Sequence, residues 1–244
     1  METRDNPPVP RLVDRAAYQA EVDALRTREK AHTREGDAIA AARRRLPMVK
    51  VDGAAPLVGD RGRVTLLEAF EGRRLLIAYY FMWYPGRPAA RQCEGCTFFT
   101  TQVRELSGLH VRDVTYATFC QGPYEESARY RDFMGWKMPW YSAPDASLDT
   151  LLDGRPPHTM YLICYVRQGS EVFETYWTTR RGVEAMDNNY RLLDLTLYGR
   201  QQDWEDSPPG WPQAPEGMST DGRPTAHWPR LKAGHSDDLD PHGR

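Results

Sequence analysis

Apolar and polar positions divide this chain into runs of two kinds. Residues 75–82, Leu-Leu-Ile-Ala-Tyr-Tyr-Phe-Met, are apolar without interruption. That pattern predicts a strand covered on both faces, not one exposed on a single side. A Pro/Gly-rich turn, Trp83 to Pro88, follows it. Phe99, Val103, Leu106 and His110 then recur three or four apart, which predicts one apolar helical face. Residues 114–120 give a second apolar strand, broken by Gln121-Gly122-Pro123; residues 124–134 give a helix stopped by Gly135. A short extended piece at 138–142, a helical turn at 147–152 and a loop at 153–157 come next. Residues 159–166 and 171–177, joined through Arg167-Gln168-Gly169-Ser170, predict a hairpin. Val183, Met186, Tyr190, Leu193 and Leu197 predict a closing helix that ends at Gly199.

The N-terminal third is weaker in pattern. Residues 1–12 contain prolines and read as loose. Asp14 is placed to cap a helix running to about Arg45 and stopping before Pro47, with Tyr18, Val22 and Leu25 as a narrow apolar stripe. That helix reads as an appendage packing on the domain or on a second subunit, with His32 structural or solvated and Arg43-Arg44-Arg45 a solvated helix end. Residues 48–51 and 56–59 predict an edge hairpin around Asp52-Gly53, and residues 64–70 a short helix or turn. The fold expected is α/β: a thioredoxin-like mixed sheet flanked by helices, with an N-terminal helical extension (1–46), the domain itself (47–200) and an irregular C-terminal tail (201–244). Strand, helix, strand, helix, hairpin and helix in that order require parallel pairing first and antiparallel pairing afterwards. The tail carries Trp204, Trp211 and Trp228 among many Pro, Gly and Asp residues, and should dock through those rings.

Composition narrows the class. A 244-residue chain with 40% apolar and 27% charged residues is a globular protein. A net charge of −2 gives no footprint for nucleic acid or membrane. The polar start Met1-Glu2-Thr3-Arg4-Asp5 lacks the apolar segment of a secretory signal, and no run approaches the roughly 18 apolar residues of a membrane span. A cytoplasmic protein is expected. Four cysteines are too few for a disulfide scaffold, so a close Cys pair points to redox chemistry or metal binding.

That pair is Cys93-Glu94-Gly95-Cys96, set where a strand hands over to a helix. Helix-end N–H groups and the helix dipole favour a thiolate there. Cys93 is assigned as nucleophile and Cys96 as resolving thiol of a thiol–disulfide oxidoreductase or related thiol-dependent redox enzyme, acting on a small-molecule or protein thiol or disulfide. Glu94 opposes thiolate formation; Arg87 or Arg91 would offset it. The plain alternative is an inert reduced pair. A metal reading takes Cys93, Cys96 and His158 as ligands for copper or zinc. A further reading is a non-catalytic binding module using the same face. Cys120 and Cys164, in apolar strands, read as buried core. Trp83, Tyr84, Trp136 and Trp140, with Pro157 and His158, are candidates to wall a substrate pocket beside the thiols, against the plainer reading of a covered core. His227 and His235 read as solvated. A homodimer is expected.

These motifs resemble a known family. The Cys-x-x-Cys pair after an apolar strand, Gly135-Trp136-Lys137-Met138-Pro139-Trp140-Tyr141-Ser142, the segment from Thr175-Tyr176 to Arg181-Gly182, Tyr190 to Thr196, and Gly199-Arg200 carry the likeness. The chain is similar to a bacterial thioredoxin-like family known as domain of unknown function eight-nine-nine, within the thioredoxin/peroxiredoxin superfamily. The resemblance covers most of the chain, to about Trp211, and implies the fold. Against the wider superfamily the chain departs in three places. Residues 83–92 separate the strand from Cys93, where thioredoxins put Trp-Cys at the strand end. Ala90 stands where peroxiredoxins carry Thr. Pro157 best matches the superfamily's cis-proline, with His158 intervening before the strand.

Overall fold

The fold is given by a computed structural model that describes residues 7–87 and 91–213, and the backbone at 219–220 and 223–224. Pro88, Ala90, His227, Trp228 and His235 lie outside the described residues. Two compact units emerge. One joins the N-terminal segment up to Pro47 with residues 196–213; the other contains Met48–Leu195.

In the first unit, helix α1 runs over Arg15–Arg43, and the Asp14 carboxylate accepts the Ala17 N–H at 2.8 Å. This is the expected capped helix, two residues short of its expected end. None of its 29 residues is buried among the described residues. Around residues 196–213, Tyr198 donates to the Pro8 carbonyl at 3.2 Å and meets the Trp211 ring edge-on at 5.3 Å. Trp204 remains half exposed.

The second unit is built on one eight-stranded sheet in the order β1-β8-β7-β4-β5-β6-β2-β3. The strands are β1 Val49–Val51, β2 Pro56–Gly59, β3 Gly62–Thr65, β4 Leu75–Phe81, β5 Val114–Cys120, β6 Trp140–Ser142, β7 Tyr161–Gln168 and β8 Glu171–Thr179. β4, β5 and β6 are parallel, while β7 returns antiparallel beside β4 and β8 antiparallel beside β7. The order β8-β7-β4-β5, with helices between β4 and β5 and between β5 and β7, is the thioredoxin-like arrangement. The helices of this unit are α2 Glu94–Gln102, α3 Ser107–His110, α4 Tyr124–Met134, α5 Asp145–Leu152 and α6 Asn189–Leu193. A two-stranded pair, β9 Ser219–Thr220 and β10 Arg223–Pro224, follows.

Strand alternation sends β4 side chains to two separate cores. Leu76, Ala78 and Tyr80 join Phe70, Phe119, Leu148, Ile163 and Tyr165 on one face. Tyr79 and Phe81 join Cys96, Phe99, Tyr116, Tyr130, Trp136 and Trp140 on the other. Each large side chain taken wholly out of water contributes about 1.5–3 kcal/mol, so both faces drive folding.

The sequence reading needs three corrections. The edge hairpin is β2 with β3, turning at Asp60-Arg61, whereas β1 pairs with β8 at the far edge. Gly53 lets the chain leave β1 tightly, because a Cβ there would lie 3.0 Å from Val172 Cγ2. The helix after the cysteines is two pieces. Val103 is extended (φ −91, ψ 92) after α2, which is rich in β-branched Thr, and the Glu105 side chain accepts the Ser107 N–H to start α3. The closing helix is also divided, into a 3₁₀ turn over Arg180–Met186 and then α6. Asp187 makes that break. Its Oδ1 accepts the Asn189 and Tyr190 N–H groups at 2.7 and 3.2 Å, an N-terminal capping role that Asp prefers to a helix interior. Leu193 and Leu197, placed on the apolar face by spacing, are consequently exposed at 37% and 45%.

Candidate functional site

β4 ends at Phe81, and the chain crosses Met82-Trp83-Tyr84 before turning at Pro85-Gly86. Two side chains fix this approach. Gln92, 2% exposed, accepts the Tyr84 N–H and donates to the Tyr84 and Arg87 carbonyls, all at 2.9–3.0 Å. Glu126 Oε2 on α4 accepts from Trp83 Nε1 and the Gly86 N–H, both at 3.1 Å. Gly122 is required where Trp83 lies, since a Cβ there would be 2.2 Å from Trp83 Cδ1. The approach is long in sequence, yet its residues 83–87 are pinned by Gln92 and Glu126.

Cys93 is the N-cap residue of α2. Its sulfur accepts the Cys96 N–H at 3.4 Å, and its carbonyl accepts the Thr97 N–H at 3.0 Å. The Cys93 thiol is lowered to about 7. The largest cause is the hydrogen bond from the Cys96 thiol; burial opposes it, the Cys96 and Gly95 amides support it, and Glu94 opposes it as the sequence reading expects. Cys96 sits one turn on, fully buried, with the Met82 N–H pointing at its sulfur at 3.4 Å. Burial, followed by the Cys93 sulfur, pushes its thiol well above the ordinary range. One thiol is thus half-buried and easily ionised, while its neighbour is enclosed and protonated. No disulfide joins the four cysteines. Cys120 is buried, and burial pushes its thiol up to about 12; Cys164, expected to be buried, is only half-buried on β7.

Soft apolar groups surround Cys93. Its thiol points at Met82 Sδ, 3.9 Å away, and the Met160 methyl would stand 3.4 Å from a Cβ at Gly95. Tyr84, half-buried, has its phenol raised first by burial and then by Cys93. The Arg87 guanidinium lies over the Tyr84 ring at 4.9 Å. Met82 and Met160 were absent from the sequence candidates. Each stands at the edge of an apolar strand, and nothing in its own segment separates a rim methionine from a core one.

The other aromatic candidates are elsewhere. Trp83, Trp136 and Trp140 are 1%, 4% and 3% exposed; Trp136 stacks on Trp140, each of the three rings meets Phe81, and Trp83 and Trp136 also meet Tyr130. Their indole N–H groups go to Glu126, Thr101 and Ser127. They act as the core beneath the site. Pro157 and His158 are exposed in the turn before β7. All peptide bonds among the described residues are trans, so Pro157 does not supply the cis-proline. The turn is instead made by His158 in the left-handed region (φ 55), with its N–H bonded to Gln121 Oε1 at 2.8 Å. His158 does not join the thiols as a ligand. Among the described residues, no group of three or more His, Cys, Asp and Glu side chains could hold a metal ion.

Among the described residues, three hydroxyls and one carboxylate oxygen are buried without a hydrogen bond of ordinary geometry: Tyr79 Oη, Thr100 Oγ1, Thr118 Oγ1 and Asp187 Oδ2. Each such group costs about 1–3 kcal/mol.

No helix among the described residues is long and apolar enough to cross a membrane. No curated protein matches the chain. Solved structures that do resemble it include a protein assigned as the thiol:disulfide interchange protein DsbE of Chlorobium tepidum (12% identity, TM-score 0.38, covering 57% of this chain and 92% of that one). A mutant of Xanthomonas campestris peroxiredoxin Q is similar at 14% identity and TM-score 0.40, covering 56% of this chain and 92% of its own. Thioredoxin peroxidase I of Plasmodium yoelii is similar at 14% identity and TM-score 0.37, with 61% and 86% covered. The family described as "Bacterial protein of unknown function (DUF899)" matches residues 7–231, nearly the whole chain, and the chain belongs to that family.

Proposed function

We propose that this protein is a thiol–disulfide oxidoreductase. The Cys93 thiolate attacks one sulfur of a substrate disulfide. The substrate S–S bond breaks, one half leaves as a thiolate, and the other stays as a mixed disulfide on Cys93. Cys96, once deprotonated, attacks the Cys93 sulfur, closing Cys93–Cys96 and releasing the second thiolate. The substrate gains two electrons and two protons, and an external thiol reductant then restores the pair. The observation that carries this reading is the contrast within the pair: Cys93 caps α2 with the Cys96 N–H on its sulfur, half-buried, while Cys96 is enclosed. An attacking thiol works best with a pKa near ambient pH, and the value of about 7 suits that role. The Met82, Met160 and Tyr84 rim favours substrates with apolar groups flanking the disulfide.

The test is reduction of a model disulfide with a thiol reductant supplied. Cys93→Ser should abolish turnover. Cys96→Ser should stop after one event, with the mixed disulfide visible by intact mass. Activity unchanged in Cys93→Ser would overturn the reading. A cytoplasmic setting and a homodimer go with it, the first from composition and the second from α1, whose Tyr18 and Leu25 are about half exposed. Light scattering that gives a monomer mass would remove the dimer.

A further inference from the structure

We propose that the Tyr79 hydroxyl is the hydrogen-bond donor held for the Cys96 thiolate, the species expelled when the Cys93–Cys96 disulfide is opened. This rests on the oxidoreductase reading and assigns it one more residue in contact with a reacting sulfur.

Tyr79 lies on β4 with its side chain on the α2 face, in the same packed cluster as Cys96, and is fully buried. Its hydroxyl makes no hydrogen bond of ordinary geometry, and the side chain it faces as a hydrogen-bonding group is Cys96. A buried phenol normally finds a partner, and the tyrosines around it do. Tyr80 Oη pairs with Tyr165 Oη at 2.9 Å, Tyr130 Oη with Thr97 Oγ1 at 2.9 Å, and Tyr116 Oη reaches Met186 Sδ at 4.0 Å. After burial, the group that acts most strongly on the Tyr79 phenol is Cys96. An unpaired donor beside a protonated thiol gains a partner when that thiol loses its proton, since a thiolate only accepts.

The surroundings of Cys96 leave this task to neutral groups. Facing its sulfur are Cys93 at the start of α2, Tyr79 and the Met82 N–H at the end of β4, Tyr84 from the approach, Tyr116 from β5 and Tyr130 from α4. No carboxylate or cation ranks among the groups that act most on it. The Met82 N–H is one donor, and Tyr79 supplies the second. Burial holds the phenol protonated throughout the neutral range, so it donates at every working pH.

The bond changes fix where the effect is felt. When a reductant thiolate attacks Cys93, a new S–S bond forms there, the Cys93–Cys96 bond breaks, and its electron pair leaves on Cys96. When the pair closes, the Cys96 proton first goes to solvent, and the thiolate attacks Cys93 while the substrate thiolate departs and takes up a proton. Stabilising the Cys96 thiolate lowers the barrier to opening and enlarges the reactive fraction for closing.

The experiment uses the full chain with Cys164→Ser as the wild-type reference, since Cys164 is also half-buried, reduced and mixed with 5,5′-dithiobis(2-nitrobenzoate) in a stopped-flow instrument. Cys93 releases one coloured thiolate on attack; Cys96 releases a second on closing the disulfide. Tyr79→Phe should leave the first phase at the wild-type rate. It should slow the second roughly tenfold and move its pH profile up by about one unit, the two being the same change. Tyr116→Phe, which removes a neighbouring phenol already in contact with a sulfur, should change neither phase. The thermal midpoint of reduced Tyr79→Phe should equal or exceed that of the wild type, because the variant removes an unpaired buried donor. A second phase at the wild-type rate and pH profile, or an equal slowing in Tyr116→Phe, would overturn the assignment, as would a lowered thermal midpoint. If the wild type itself shows only one release, the oxidoreductase reading falls and this inference with it. A defect confined to the first phase would also refute it.

Discussion

Tyr79 and Tyr80 are neighbours on β4 and point to opposite faces of the sheet. Both are buried. The Tyr80 hydroxyl is matched by Tyr165 at 2.9 Å, while the Tyr79 hydroxyl makes no hydrogen bond of ordinary geometry. The difference extends to the two faces they enter. Polar atoms are rare on the Tyr80 side, and those buried there are paired. Among the described residues, the unsatisfied buried side-chain atoms are on Tyr79, Thr100, Thr118 and Asp187; Tyr79, Thr100 and Thr118 lie on β4, α2 and β5, and Asp187 precedes α6. Native interiors leave few polar groups unpaired, and exceptions gather where a site needs them. The face that holds Cys96 therefore gives up some stability that the Tyr80 face keeps.

The largest expected effect tests whether the thiol face is a packed core at all. Phe81 touches Tyr79, Trp83, Tyr130, Trp136 and Trp140. Phe81→Ala should cost about 3–5 kcal/mol in urea unfolding, as should Phe119→Ala on the opposite face. If Phe81→Ala costs well under 1 kcal/mol, those rings line an open pocket and the contrast between faces is misdrawn.

A smaller pair of changes sharpens the contrast directly. Tyr80→Phe leaves the Tyr165 hydroxyl buried and alone, and should destabilise by about 1–3 kcal/mol. Tyr79→Phe, one residue away, should be neutral or stabilising. Equal losses for the two variants would mean that Tyr79 has a structural partner after all.

Much of the fold was legible because its signals are local. Asp14 caps α1, Gly135 (φ 70) ends α4, and Gly169 (φ 62) turns the β7–β8 hairpin. The uninterrupted apolar run of β4 does have a core on each side. The cysteine pair and its place between a strand and a helix were legible too. What failed depends on groups far apart in sequence. The break before α6 is helped by Gln102 Oε1, which accepts the Asn188 and Asn189 N–H groups across more than eighty residues. Spacing alone therefore carried one helix through it. The tryptophans were open to both a pocket-wall and a core reading, because composition does not reveal which rings already cover one another. Tyr79 was read as core, since an unsatisfied hydroxyl is invisible until every neighbour is placed.

The smallest effect lies within the thiol face, at Glu94. It stands in the first turn of α2, where a negative charge favours the helix by about 0.3–1 kcal/mol, and it also opposes ionisation of Cys93. Glu94→Gln should therefore separate the two. The folded protein should lose up to that amount of stability. The Cys93 thiol should titrate lower than about 7, because the repulsion that raises it is gone while the Cys96 thiol and amide still face its sulfur. Iodoacetamide alkylation against pH, followed on the Cys93 peptide by mass because Cys164 is also half-buried, reads this at Cys93. In the wild type the rate should rise through pH 7 and level off above pH 8; in the variant the rise should come earlier, and high salt should narrow the gap. A profile that does not move, or one that shifts upward, would mean that Glu94 supports the thiolate through the helix and does not oppose it through space. The ease of ionising Cys93 would then belong to α2 as a whole, not to the contact with Cys96 on which the two-thiol reading depends.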